Sequence, residues 1–170
     1  MPAQQESLRF EDDGETPNNP TLPLVLYRLP MSLGGTTDLA AEFERTFARH
    51  GWGDGWRNGI YDFLHFHTRT HEVLGIARGT VTVEFGGAKG KQVDLQAGDV
   101  AILPAGTGHR RISASKDLLV VGAYPKNNTF DQTSPAKTSH TAAVAAIART
   151  PLPEQDPVFG KDGPLVREWR

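Results

Sequence analysis

Hydrophobic and polar positions first mark a helix in the N-terminal third of the chain. Leu39, Phe43 and Phe47 recur every four residues, and the positions between them carry mostly charged or small side chains. This spacing is typical of an amphipathic helix with one apolar face. Residues 34–38, Gly-Gly-Thr-Thr-Asp, offer N-cap side chains, and the pair His50-Gly51 predicts the end of the helix.

After Gly59 the pattern changes to short apolar runs separated by glycines. Runs of this length and spacing are typical of antiparallel strands joined by turns, as in a meander or a jelly roll. Gly79 and Gly98 fall between such runs, at positions that often need a positive φ. The predicted strands cover residues 60–67, 72–78, 80–85, 91–95, 100–103, 109–113 and 118–124. We therefore predict an all-β barrel with a leading helix.

The two ends of the chain lack this alternation. We expect four regions: a polar, loose N-terminal arm (1–22), an edge strand and helix leading into the barrel (23–58), the barrel core (59–125) and a C-terminal arm (126–170). In the last region, the Ala-rich residues 139–149 predict a short helix, and the proline-rich residues 151–170 predict an extended arm. Apolar anchors predict that this arm docks on its own barrel or on a partner subunit: Val158, Phe159, Leu165, Val166 and Trp169.

Composition narrows the classes of function. The 170 residues suit one domain. The net charge of −2 argues against a nucleic-acid or anionic-membrane partner, because no basic surplus is present to neutralise phosphates. The chain has no cysteine, which excludes disulfides, thiolate nucleophiles and cysteine metal sites. No signal-like segment and no apolar stretch near the ~20 residues of a membrane span occur, so we expect a cytoplasmic protein.

Four polar side chains in the predicted barrel have the chemistry of a metal site. His65 and His67 are two residues apart, so on a strand both face one side, with Cβ atoms roughly 6–7 Å apart. Glu72 follows a short connection and returns opposite the pair, while His109 arrives from a distant strand. Three imidazoles and one carboxylate suit a divalent transition metal (Fe, Mn, Ni or Zn) better than Mg or Ca.

The glycines and the proline around these residues complete two recognisable motifs. The first is Gly59, five residues, His-x-His, four residues, Glu72, six residues, Gly79. The second runs from Gly98 through Pro104-x-Gly106 to His109 and ends at Ser113.

These motifs resemble the paired signature of the cupin superfamily, with Ser113 in place of the usual final asparagine. Further segments, GWRNGIYDF and AGDVAILPAGTGHRR among them, are similar to the YjlB-like group of single-domain bacterial cupins of unassigned function. The resemblance implies a double-stranded β-helix, that is, a jelly-roll barrel, with an N-terminal helix and extended terminal arms. It also implies a homodimer and a metal site formed by His65, His67, Glu72 and His109.

The fourth ligand has an alternative. His71 adjoins Glu72, and an all-histidine site with Glu72 as a neighbouring base is the competing arrangement. Strand parity favours Glu72, since His71 then points to the opposite face. The same parity places Tyr61 with the histidine pair, and Arg111 and Ser113 with His109, as candidate substrate-binding or supporting residues. For Trp52, Trp56 and Arg57 we expect a capping or interface role.

Three functions are compatible with this sequence. The favoured one is a metal-dependent enzyme of the oxygenase, decarboxylase or isomerase type, acting on a small oxygen-bearing organic substrate. The alternative is a non-catalytic module that holds a metal or a small ligand. The third is a metal-free scaffold whose histidines only line a polar cavity.

Overall fold

Two antiparallel sheets form the barrel in residues 4–28 and 38–170, the part of the chain that the computed structural model describes. The strands are β1 (Gln4–Leu8), β2 (Leu24–Arg28), β3 (Trp52–Asn58), β4 (Glu72–Arg78), β5 (Thr80–Phe85), β6 (Lys91–Gln96), β7 (Val100–Leu103), β8 (His109–Ala114) and β9 (Leu119–Pro125). One sheet has the order β1-β2-β7-β4-β9-β3, and the other has the order β6-β5-β8. The predicted all-β fold is confirmed.

The leading helix, α1 (Leu39–Arg49), forms as its spacing predicts. The Asp38 side chain accepts a hydrogen bond from the Ala41 backbone nitrogen at 3.1 Å, and His50 caps the other end. Phe43 and Phe47 are buried. Residues 29–37, which include the other predicted N-cap side chains and the end of the predicted edge strand, lie outside the described residues.

The larger sheet is covered on both faces, because β4 directs alternate side chains to two different cores. Val73 packs with helix α1, whereas Leu74 and Ile76 pack inside the barrel. Gly75 lies under the helix, where a Cβ atom would come within 2.9 Å of the Phe43 ring. The absence of a side chain therefore lets α1 rest directly on the sheet.

Most predicted strands in the barrel core agree with the structure. Strands β4, β5 and β7 have the predicted limits, and β6, β8 and β9 differ by one residue at one or both ends. Gly79 and Gly98 adopt φ values of 79° and 99°, as expected for the turns that they occupy. Short apolar runs bounded by glycines were a sufficient signal here, because β4 and β7 are buried on both faces and β5 has one face in the barrel interior.

The N-terminal region differs from the prediction. The first 22 residues are not a loose arm throughout, since β1 pairs with β2 over Gln4–Leu8. Its side chains are exposed or only half-buried, so the sequence of this strand does not show the alternation of apolar and polar residues by which strands are predicted. Strand β3 was also missed because it contains two glycines and an irregular register between Gly53 and Trp56. The strands thus extend beyond residues 59–125, and the division into four regions stays a prediction.

Residues 60–67 do not form the predicted strand. Two isolated bridges occur instead, between His65 and His109 and between Phe66 and Thr133. Two consecutive residues are therefore hydrogen-bonded through their backbones to two different segments of the chain. Residues 61–63 remain exposed. His65 and His67 nevertheless come together as the parity predicts, since their ligand nitrogens lie within 4.8 Å of each other, and the intervening Phe66 is fully buried.

The C-terminal region docks on the chain's own barrel. It contains α2 (His140–Arg149), as predicted, and α3 (Pro164–Glu168), which was not. The buried carboxylate of Asp156 accepts hydrogen bonds from the Tyr27 hydroxyl and from the backbone nitrogens of Val158, Phe159 and Leu165. Trp169 donates its indole N–H to the Pro23 carbonyl at 2.9 Å. None of the helices in the described part of the chain is long and apolar enough to cross a membrane.

Candidate metal centre

Three buried histidines meet at one end of the barrel. The ligand nitrogens of His65, His67 and His109 all lie within 4.8 Å of one another. The backbones of His65 and His109 exchange two hydrogen bonds, at 3.2 and 3.0 Å, which place these side chains next to each other. Their ring centroids are 4.0 Å apart. Such a spacing is compatible with one ion bound by all three imidazoles.

Each imidazole is oriented by a backbone carbonyl. The Nδ1 atom of His65 lies 3.1 Å from the Phe63 oxygen, that of His109 lies 3.0 Å from the Thr107 oxygen, and that of His67 lies 2.6 Å from the Asp131 oxygen. A carbonyl can only accept, so each Nδ1 carries the proton and each Nε2 keeps its lone pair. Metal-binding histidines are typically oriented in this way.

Glu72 places a carboxylate beside two of these three histidines. Its Oε1 atom lies 3.3 Å from Nε2 of His67 and 3.2 Å from Nε2 of His109. Glu72 Oε1 and His67 Nε2 are buried and have no hydrogen-bond partner. A lone pair facing a carboxylate oxygen in a buried site is unfavourable unless a proton or a metal cation lies between them. These donors therefore fit a divalent transition metal, and we call His65, His67, Glu72 and His109 the histidine-glutamate centre.

The pKa values of the centre reflect this crowding of donors. Burial alone would raise the pKa of Glu72, but the adjacent His67 and His109 hold it well below its usual range. Burial opposes protonation of His67, yet the Glu72 carboxylate raises its pKa. For His65, burial and the neighbouring His109 lower the pKa to about 3. Glu72 is thus ionised and His65 is neutral near pH 7, which are the forms that bind a metal.

His71 does not join the centre. Its Nδ1 atom accepts a hydrogen bond from the Ala105 backbone nitrogen at 2.9 Å, and its Nε2 atom lies 3.1 Å from the Pro151 carbonyl. The ring packs against Trp169, with the centroids 4.8 Å apart. Both nitrogens are therefore engaged on the side of the C-terminal region, and burial lowers the pKa of His71 to about 4.

A cavity of about 470 Å³ opens beside the histidine-glutamate centre. Tyr61 and Arg111, both predicted as candidates, line it. Ser113 does not, because the register of β5 and β8 shifts between the pairs Thr82–Ser113 and Val83–Arg111. This bulge turns Ser113 to the outer face, which corrects the prediction from parity. Of the tryptophans, Trp52 is buried in the core beneath α1, whereas Trp56 lines the cavity.

Several cavity residues were not predicted. Tyr124 hydrogen-bonds with Glu72, and its hydroxyl accepts a hydrogen bond from the Trp56 indole nitrogen at 2.9 Å. Burial and the Glu72 charge raise the pKa of this hydroxyl, so it stays protonated. The alternation of side chains along β9 could have predicted Tyr124, because it is an even number of residues from Val120, whose side chain faces the barrel interior. Phe130 also lines the cavity, next to Tyr124, and the only sequence signal for it is an isolated aromatic residue in a polar stretch.

Comparison with known proteins gives the following similarities. Residues 58–121 match the family model described as "Cupin domain". The chain is 37% identical over 169 residues to the uncharacterized protein YjlB of Bacillus subtilis (strain 168), with 99% of each chain covered.

Solved structures are similar at lower identity. Acireductone dioxygenase from Bacillus anthracis, with a cadmium ion in its active centre, is 22% identical with a TM-score of 0.35, over 51% of this chain and 57% of that one. A variant of oxalate decarboxylase from Bacillus subtilis is 20% identical with a TM-score of 0.36, over 66% of this chain and 22% of that one. The chain thus spans less than two thirds of the length of either.

Proposed function

Because the chain belongs to the cupin family, we propose that it is a metal-dependent enzyme that acts on a small, oxygen-bearing organic molecule at the histidine-glutamate centre. Oxygenase, decarboxylase and isomerase reactions are the types considered, since each uses a substrate bound through oxygen. The observation that carries the proposal is the convergence of three buried imidazoles, whose ligand nitrogens lie within 4.8 Å of one another, with the unpaired Oε1 atom of Glu72 beside two of them.

The residues around the centre have separate parts in this proposal. His65, His67, His109 and Glu72 would hold Fe, Mn, Ni or Zn. Once bound, the ion would supply a Lewis acid and a template for substrate oxygens, or a redox centre in the case of iron. The carbonyls of Phe63, Thr107 and Asp131 keep the three rings in the orientation that ligation requires.

The cavity walls act on the substrate rather than on the ion. The Tyr124 hydroxyl is fixed by Trp56 and stays protonated, so it can donate a hydrogen bond toward a substrate oxygen when it turns from Glu72. Leu74 and Ile60 supply apolar wall that limits water beside the centre. A mostly apolar cavity with a few fixed polar groups is typical of sites for small molecules.

Turnover by the loaded protein tests this function. The chain is loaded in separate samples with Fe²⁺, Mn²⁺, Ni²⁺ or Zn²⁺ and incubated with a panel of small carboxylates, hydroxy acids and ketones. Oxygen uptake, CO₂ release and new proton resonances report the three reaction types. Turnover in the wild type and its loss in His67→Ala would support the proposal. No turnover with full metal occupancy would contradict the enzyme and favour a non-catalytic binding module.

Two expectations from the sequence belong to the same proposal. We propose that the protein is a homodimer, which sedimentation equilibrium tests, with a monomeric mass as the contrary result. We also propose a cytoplasmic location, tested by fractionation of the native cells. Neither the oligomeric state nor the location alters the reaction types proposed for the histidine-glutamate centre.

A further inference from the structure

Exposed aromatic side chains gather at the cavity mouth. Tyr61, Phe63 and Phe130 are 50%, 48% and 51% exposed, and they are three of the six large hydrophobic side chains that are exposed in the described part of the chain. Tyr61 and Phe130 line the cavity, while Phe63 stacks on Tyr61 with centroids 4.7 Å apart. Water-exposed aromatic rings gathered at one opening are typical of a binding surface.

The rings reach from the mouth to the metal ligands. Tyr61 contacts His65 edge-on, with centroids 5.3 Å apart. Phe130 lies 5.7 Å from the His67 ring and 5.1 Å from the Tyr124 ring. A molecule that reaches the histidine-glutamate centre through this cavity therefore meets aromatic rings that contact two of the metal-ligand candidates. Flat rings gain additional attraction from such walls through offset or edge-to-face contacts.

The charge of the cavity favours an anion. With a divalent ion bound, three neutral imidazoles and the Glu72 carboxylate leave one net positive charge at the centre. Arg111 adds a second positive charge, and its guanidinium is held by the Ile60 carbonyl at 3.2 Å. The other charged lining group is Asp62, whose carboxylate lies 3.8 Å from the Arg111 guanidinium; its side chain is 73% exposed, so water screens this ion pair and Arg111 stays available to a ligand anion.

From this combination we infer that the site takes a planar, ring-bearing monoanion, namely an aromatic carboxylate or a similar conjugated oxygen anion. Its oxygens face the centre and Arg111, and its ring lies between Tyr61 and Phe130. The inference rests on the proposed function, because the anion meets the bound metal. A cavity of about 470 Å³ is large enough for a single six-membered ring with its substituents.

Binding of matched probes to the Zn²⁺-loaded chain tests this specificity, with calorimetry as the readout. Benzoate is compared with cyclohexanecarboxylate, which keeps the charge and loses the flat ring, and with benzamide, which keeps the ring and loses the charge. Benzoate is expected to bind about three- to tenfold more tightly than cyclohexanecarboxylate, which is the range of an aromatic pair. Against benzamide we expect about tenfold or more, from loss of the charged contact.

Substitutions in the walls assign the preference to named residues. In Tyr61→Leu and Phe130→Leu, the affinity for benzoate should fall toward that for cyclohexanecarboxylate, while the affinity for acetate stays unchanged. In Arg111→Gln, both carboxylates should weaken equally. Leu152→Ala serves as the control, since Leu152 is an exposed apolar residue outside the cavity. Zinc content is measured for every variant before the titration.

The outcomes separate this inference from the proposed function. Failure of the wild-type chain to bind zinc would contradict the proposed function and, with it, the inference. Full zinc occupancy with equal affinity for benzoate and cyclohexanecarboxylate would overturn the inference alone. It would equally be overturned if the leucine variants changed the sedimentation mass and left benzoate affinity intact, because the rings would then cover a second copy of the chain.

Discussion

The backbone oxygen of Asp131 lies 2.6 Å from Nδ1 of His67, so a residue of the C-terminal region orients a ring of the histidine-glutamate centre. The Asp131 side chain strengthens the same junction. Its carboxylate accepts hydrogen bonds from the backbone nitrogens of Thr68 and Arg69 and from the Thr68 hydroxyl. The region beyond residue 125 is therefore part of the site and not an appendage to it.

Asp131→Ala should weaken metal binding without removing a ligand. Loss of the carboxylate frees Thr68 and Arg69 from residue 131, so the carbonyl that holds His67 becomes mobile. We expect zinc affinity to fall about 10- to 100-fold, as is common for residues that orient a ligand. Competition with a chromophoric chelator measures this change. Asp117→Ala is the control, since Asp117 accepts a similar side-chain hydrogen bond in a turn outside the centre. Equal zinc affinity in Asp131→Ala and the wild type would refute the orienting role.

His71→Ala should affect stability and leave metal content intact. The substitution leaves the buried Ala105 N–H without an acceptor and removes the contact with Trp169. We expect the free energy of unfolding in urea to fall by about 2–4 kcal/mol. His67→Ala should differ in its metal content, with a folded protein and no bound metal. A folded His71→Ala protein without metal would mean that His71 is the fourth ligand.

Tyr124→Phe tests the hydroxyl without disturbing the packing of the ring. The Trp56 indole N–H loses its acceptor, and the Glu72 carboxylate loses a hydrogen bond. We expect full metal occupancy, a decrease in zinc affinity of at most about tenfold, and a blue shift of tryptophan fluorescence at Trp56. Loss of more than half of the metal from a folded Tyr124→Phe protein would show that Tyr124 has a larger part in the centre than its hydrogen bonds indicate.

Asp156→Ala should release the C-terminal segment from the barrel. The Tyr27 hydroxyl and the backbone nitrogens of Val158 and Phe159 lose their acceptor, and the Leu165 backbone nitrogen keeps only the Tyr27 hydroxyl oxygen. We expect a loss of about 3 kcal/mol or more in the free energy of unfolding. Hydrogen exchange of residues 157–170 should accelerate, whereas Asp162→Ala, at an exposed position in the same segment, should leave it unchanged. Unaltered exchange in Asp156→Ala would contradict this anchoring role.

The part of the fold that sequence could predict is the part where short apolar runs are separated by glycines. Buried side chains recur along β5 with period two, whereas β4 and β7 are nearly continuous apolar runs buried on both faces, and Gly79 and Gly98 mark the turns. Strand β1 lies at a sheet edge with exposed side chains, and backbone pairing alone defines it. Such a strand leaves no pattern in the side chains.

The candidate site shows the same limit. His65, His67, Glu72 and His109 follow from motif spacing, and the structure brings these four together. Ser113 was misplaced because the bulge in β8 reverses the face that parity assigns. Asp131 reaches the site through contacts between residues 62 to 64 positions apart along the chain, with no periodic signal in between. Local patterns therefore supply the ligands, and long-range packing supplies the residues that orient and enclose them.

Metal content per chain is the most direct test of the histidine-glutamate centre. Untagged protein, purified without chelators, is analysed by plasma mass spectrometry together with His67→Ala, and circular dichroism confirms that both are folded. The centre predicts close to one equivalent of Fe, Mn, Ni or Zn in the wild type and close to none in the variant. A wild-type chain that stays empty after incubation with each of these ions, or equal metal content in both proteins, would contradict it.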